Sequence, residues 1–187
     1  AITAFSIVML PFLRPLAAAI AIACAAILAG CSSLASSGIF GSDGRNPSHW
    51  RDAIEAATKI STRTVRGRMH FACTYDAKGF YWRFLHPSGA LYRDNAIVGT
   101  LNADWSLTAL DGTVLKMSVL TNGPRHSAAD LADAVFKATA PKKGTFAGVR
   151  YVERTHAKGG MPLTKCSASQ QGQRLSRPFE ADYTFWR

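Results

Sequence analysis

Apolar and polar residues alternate with a period of two through much of this chain, and the alternation predicts strands. Val65, Gly67, Met69, Phe71 and Cys73 fall on one side, and Arg66, Arg68, His70 and Thr74 on the other, as in a half-buried strand over 64–74. After a Lys78-Gly79 turn, Phe80, Trp82 and Phe84 alternate with Tyr81, Arg83 and Leu85. Both sides are bulky, which predicts a strand covered on both faces. His86-Pro87-Ser88-Gly89 reads as a turn before short strands at 90–92 and 96–101. Strands at 105–110 and 113–120 follow, joined by Asp111-Gly112, a dipeptide suited to a type I′ hairpin because both positions need positive φ. Strand character resumes over 145–154, Gly159-Gly160 marks a turn, and Phe179, Ala181, Tyr183 and Phe185 alternate with polar partners and Trp186 at the end.

Two stretches carry the helical period instead. Behind Asn46-Pro47-Ser48, the residues Trp50, Ile54, Ala57 and Ile60 recur at helical spacing, with Asp52 and Glu55 near the positive end. In 127–139, Ser127 and Asp130 resemble a capping box, and Leu131, Ala134, Val135 and Ala138 form an apolar stripe that Pro141-Lys142-Lys143-Gly144 ends. The prediction is a mainly β domain with two short helices (α+β), an antiparallel β-sandwich or a barrel-like sheet. No internal repeat is evident.

The N-terminal pattern is different. Residues 16–27 are an unbroken apolar run without charge, shorter than the ~20 residues a membrane span needs but suited to a signal-peptide core. Arg14 supplies the positive charge before it, and Met9 is the expected true start. At its foot, Leu28-Ala29-Gly30-Cys31 resembles the lipobox of bacterial lipoproteins. The resemblance implies cleavage before Cys31, a diacylglycerol thioether on its sulfur and acylation of the new amine, a palmitate-type anchor. Ser32, where an Asp would mark inner-membrane retention, implies an outer-membrane address. The expected organisation is a signal peptide over 1–30, the lipidated Cys31 with a Ser- and Gly-rich tether over 31–46, and one β-rich globular domain over 47–187.

Charge narrows the partners. Losing Arg14 with the leader leaves 21 basic against 12 acidic side chains, a net charge of about +9. In an exported protein such a balance points to lipopolysaccharide, anionic lipid or cell-wall polymer rather than nucleic acid, with a protein partner as the other class. Arg66, Arg68, Tyr81, Arg83 and Lys158 are the candidate contacts, and a basic solvated surface is the plain alternative. Cys24 leaves with the leader and Cys31 is modified, so Cys73 and Cys166 remain. An even pair in an oxidising compartment is more often a disulfide than two thiols. Zinc would need further ligands at short spacing, and none of His49, His70, His86, His126 and His156 sits near either cysteine at such spacing. No metal or cofactor is expected.

Several segments together resemble a known family. They are the strand ending in Cys73, then Trp82, Gly89-Ala90-Leu91-Tyr92-Arg93-Asp94, Trp105 with Asp111-Gly112, and residues 146–155. Gly159-Gly160-Met161-Pro162, Cys166 and Ala181-Asp182-Tyr183 complete the set. Over roughly 66–187 they resemble the secreted domain-of-unknown-function family DUF3455. The resemblance implies a β-rich extracytoplasmic domain and supports pairing of Cys73 with Cys166. The chain departs from it at 100–104 and at the Ser127 segment, and the family offers no catalytic residues to carry over.

Motifs for chemistry are missing. The sequence contains neither Gly-x-Ser-x-Gly nor His-Glu-x-x-His, and its glycines form no phosphate-cradling loop. Asp94, Asp104 and Asp111 are the carboxylates that could meet, although turn acids usually serve the backbone. The expected function is therefore a non-enzymatic, lipid-anchored binding or structural module of the envelope. The alternative is an inhibitor of an exported enzyme, since small lipobox proteins with a strand ending in Phe-x-Cys are similar to membrane-bound lysozyme inhibitors. This chain is longer than those and has no recognisable inhibitory loop.

Overall fold

The longest alternation in the sequence makes the longest strand. In the computed structural model, which describes residues 47–187, strand β1 (Lys59–Asp76) buries Val65, Met69, Phe71 and Cys73 and exposes Arg66 and Arg68. It is followed by β2 (Gly79–Arg93), β3 (Ala96–Leu101), β4 (Leu107–Ala109), β5 (Val114–Asn122), β6 (Ala134–Thr139), β7 (Tyr151–Gly159) and β8 (Arg174–Trp186). Each pairs antiparallel with its neighbour in sequence. β8 then returns to β1, with Val65 opposite Ala181, and the sheet closes into a barrel.

A barrel of eight strands has an interior that side chains are able to fill. Val65, Leu91, Leu107, Leu115, Phe136 and Tyr183 are among those that fill it, all 1 % exposed or less. A run of rings crosses the interior from Phe71 to Phe84 (5.8 Å between centroids), Trp105 (5.8 Å), Phe136 (6.3 Å) and Tyr183 (6.4 Å). Trp105 packs against the core from a left-handed backbone, φ 67°, in a tight turn where the Asn102 amide donates to the Ser106 carbonyl (2.9 Å) and the Trp105 amide to the Asn102 carbonyl (3.1 Å). That conformation costs about 1–3 kcal/mol for a non-glycine residue. Packing of the indole between Phe84 and Phe136 offsets it.

One glycine marks the tightest approach of strands. Gly67 on β1 faces Gly89 on β2 and Phe179 on β8, and a Cβ there would lie 2.9 Å from the Phe179 ring. The Ser88 carbonyl oxygen, closer still, and the ring together occupy the space that a side chain would need.

Neither predicted helix forms among the described residues. The N-terminal stretch has only two three-residue 3-10 turns, Pro47–His49 and Asp52–Ile54, and lies as a strap against the outside of the barrel. The Thr121 hydroxyl donates to the Trp50 carbonyl (2.7 Å), the Trp50 ring covers Gly123, and Arg51 reaches the buried Glu153 of β7 (2.7 Å). The 127–139 stretch is a turn, an isolated bridge from Asp130 to Gly160, and then β6. Its helix-like spacing mixes two sources: Leu131 enters the core from the loop, Ala134 and Ala138 face inward from the strand, and Val135 is buried on the outward side. Two open neighbours, β5 and β7, make the strand the better use of that backbone.

Other boundaries also move. His86-Pro87-Ser88-Gly89 lies within β2, whose extra residue Leu85 opens a bulge opposite His70 and Phe71. Pro87 is tolerated where β3 has not yet begun to pair, since that pairing starts at Gly89. β2 is also not covered on both faces, because Arg83 is exposed. The predicted strand over 145–154 starts only at Tyr151, and Phe146 and Val149 are buried in turns before it.

The Asp111-Gly112 hairpin forms by a different turn. Only Gly112 has positive φ (78°), and Ala109 bonds both Gly112 and Thr113, so the loop is a type I turn followed by a glycine bulge. Asp111 is thereby free to accept from the Thr113 hydroxyl (2.6 Å) and amide (3.0 Å) and from the Thr145 amide (2.7 Å) and hydroxyl (2.8 Å). These donors, the Thr113 hydroxyl foremost, hold its carboxyl well below the usual range. A depressed carboxylate stabilises the fold above its unfolded value, here 3.8, and loses that contribution as pH falls toward the folded value. Asp111→Asn is therefore expected to lower urea midpoints at neutral pH, by an amount that shrinks steadily below that point. An equal loss at every pH would show that the charge is not what acts.

Candidate functional site

The outer faces of β1, β2 and β8 carry the candidate site, because alternation on three paired strands stacks their outward residues in rows. Arg68 lies across from Ser88 on β2, His70 across from His86, and Ala72 across from Arg174 on β8. Past the bulge, Arg83 lies across from Ala72 and Tyr81 across from Thr74. Arg68, His70, Arg83, His86 and Arg174 thus share one end of this face, and three of the five, Arg68, Arg83 and Arg174, are exposed. Their positions are fixed by short contacts. Arg68 donates to the Ser176 hydroxyl (2.7 Å), Arg83 reaches the Thr74 hydroxyl (3.4 Å), and the His70 and His86 rings stack with centroids 4.6 Å apart.

The five residues singled out from the sequence divide. Arg68 and Arg83 belong to this cluster. Arg66 is engaged elsewhere, donating to Glu180 (2.8 Å) and lying over the Tyr92 ring (4.9 Å). Lys158 sits in register with the same Glu180, away from the histidine end. Tyr81 neighbours Asp76, whose hydrogen bond pushes the phenol pKa up. The sequence reading left out three members of the cluster: His70, His86 and Arg174. His70 shows in the alternation of β1, but His86 falls in the predicted turn and Arg174 lies before Phe179, where the alternation of the last strand begins.

Cys73 and Cys166 are joined as a disulfide, Cα atoms 5.9 Å apart. The bond ties the upper part of β1 to the segment before β8, where the Cys73 amide and carbonyl also bond Gln173 (2.9 Å) and Gly172 (3.0 Å). Cys31 and its tether lie outside the described residues. The three candidate carboxylates do not converge. Asp104 accepts from Ser106 within its own turn, Asp111 ties its turn to Thr145, and Asp94 occupies a left-handed position between β2 and β3.

A polar group also sits inside the barrel. Arg154, 5 % exposed, donates from Nε and Nη2 to the Ala132 carbonyl (2.9 and 2.7 Å) and faces the Phe136 and Trp105 rings (5.4 and 5.9 Å). Across from it, burial pushes the Tyr183 phenol up, while the Arg154 charge acts the other way. On the strap side, a cleft of about 620 Å³ is lined by His49, Arg51, Asp52, Ile54, Glu55 and Trp186 among others, none of them a predicted contact.

No curated protein and no solved structure matches this chain. Residues 104–187, from the Trp105 turn through β8, match the family model described as protein of unknown function (DUF3455), and over that stretch the chain resembles that family.

Proposed function

We propose that this protein is a lipid-anchored, non-enzymatic binding module that contacts anionic material of the bacterial outer membrane through the outer face of β1, β2 and β8. The observation that carries the reading is the gathering of Arg68, Arg83 and Arg174 with two histidines on one face. The acids on β1 and β8 are already engaged: Asp76 by the Lys78 amide (2.8 Å), Glu180 by Arg66 and Asp182 by His156 (3.1 Å). An acylated Cys31 would hold this surface near headgroups and polymers, where each basic residue is worth about 1 kcal/mol within a Debye length of ~8 Å.

Cosedimentation of the unlipidated domain with lipopolysaccharide or anionic vesicles, at low and high salt, tests the reading. Binding is expected to weaken with salt. Reversing Arg68, Arg83 and Arg174 to Glu is expected to lower affinity at least about five-fold per residue, with stability changing by no more than about 0.5 kcal/mol at these exposed sites. Equal binding at both salts, or none at either, would discard the electrostatic contact.

A further inference from the structure

We infer that the stacked His70–His86 pair is a proton-coupled contact for phosphate groups, drawing protons onto its rings as the anion binds, so that affinity climbs as pH falls through the histidine range. The inference rests on the anion contact proposed above and adds its ligand chemistry and its control.

The argument begins with what each ring nitrogen touches. His86 Nδ1 lies 3.0 Å from the Pro87 carbonyl, which can only accept, so the neutral ring carries its hydrogen on Nδ1 and a lone pair on Nε2. Protonation converts Nε2 into a second donor. His70 Nε2 meets the Ser88 hydroxyl (2.9 Å), a group able to donate to a neutral ring or accept from a charged one. Both rings can therefore change charge without losing a partner.

The surroundings then set when they do so. The groups facing the pair are Arg68 beside it on β1, Ser88 and Arg83 on β2, and Ser176 and Arg174 on β8. Among the described residues, neither ring has an ion pair with a carboxylate, whereas His126 and His156 pair with Asp133 and Asp182. Burial above all, and then the charges of His86, Arg68 and Arg174, hold the His70 pKa down. Two imidazolium rings stacked with centroids 4.6 Å apart, among arginines, need an anion at their edges. A phosphate supplies several acceptor oxygens for the Nε2–H that His86 gains and for the guanidinium forks. By linkage, an anion that favours the charged rings binds more tightly where protons are more available.

The probe is a phosphatidylcholine vesicle containing phosphatidylglycerol, whose phosphodiester keeps its charge across the range used. Cosedimentation is compared at roughly pH 5.5 and pH 8, on either side of the ordinary histidine value of ~6.5. The wild type is expected to bind about ten-fold or more tightly at the lower pH. The His70→Gln, His86→Gln double variant keeps polar side chains but cannot titrate, and is expected to lose the acid gain, the ratio of its affinities at the two pH values falling to about one. Proton NMR of the two rings is expected to show both titrating at higher pH when vesicles or inorganic phosphate are added. Competition by inorganic phosphate would trace recognition to the phosphate itself, and binding without competition to the headgroup surface; both support the contact. Salt-sensitive binding that is equal at both pH values, or an acid gain that survives in the double variant, overturns this inference while leaving the anion contact standing. No binding at either pH overturns both.

Discussion

Replacing Cys73 and Cys166 together with alanine is expected to lower the unfolding free energy by about 2–5 kcal/mol. The bridged residues are 93 apart in sequence, and the chain-entropy account assigns ~4.7 kcal/mol to a loop of about a hundred residues. The folded state has other means of holding this region, since the Cys73 amide and carbonyl bond Gln173 and Gly172 directly. The main change is therefore freedom gained by the unfolded chain. Urea unfolding should show a lower midpoint and a steeper dependence on denaturant, because the released chain expands. Wild type with its bond reduced should behave like the double variant. If reduction and substitution both leave the midpoint unchanged, the bond contributes nothing to stability.

Arg154→Ala is expected to cost about 3–5 kcal/mol. The change takes two donors from the Ala132 carbonyl and removes the side chain that fills the space against Phe136 and Trp105. A deletion of this kind combines an unsatisfied polar group with a cavity. Arg154→Met separates the two effects, because it keeps most of the volume while removing the charge and its donors. It is expected to lose only about 1–2 kcal/mol, the scale of the missing hydrogen bonds. Urea unfolding measures both, and near-ultraviolet circular dichroism reports on the Trp105 environment. A loss below about 1 kcal/mol in the alanine variant would show the interior to be held by its rings alone.

The strands that read most clearly from the sequence are those with one wet and one dry face. In β1, Arg66 and Arg68 interrupt Val65, Gly67 and Met69 at every second position, and β8 repeats the pattern around Ala181 and Tyr183. The pattern fails where a strand is buried on both sides. Val135, Glu153 and Thr184 face outward yet are buried on the side of the barrel that the Trp50 strap crosses, and contiguous burial looks the same in a helix and a covered strand. It also fails at irregular backbone, as with Pro87 inside β2 and the left-handed Trp105. The candidate site was half legible for the same reason. Arg68 and Arg83 sit in visible alternations, but their meeting with His86 and Arg174 depends on the bulge at Leu85 and on closure of β8 against β1, neither of which leaves a local signature.

That closure bears on how the barrel assembles. Seven of the eight strand pairings join consecutive strands and can form by local zipping, whereas the seam joins residues such as Arg66 and Glu180, 114 positions apart. Bringing such distant segments together costs entropy before any contact repays it, and sheets with non-local pairings fold on the slow, millisecond-to-second scale. Until the seam forms, β1 and β8 present two open edges that can pair with another chain. An oxidised Cys73–Cys166 bond leaves only the short stretch from Cys166 to Arg174 between the upper part of β1 and the first residue of its partner. Oxidation before closure would therefore turn the slowest encounter into a nearly local one and shorten the time during which the edges are exposed.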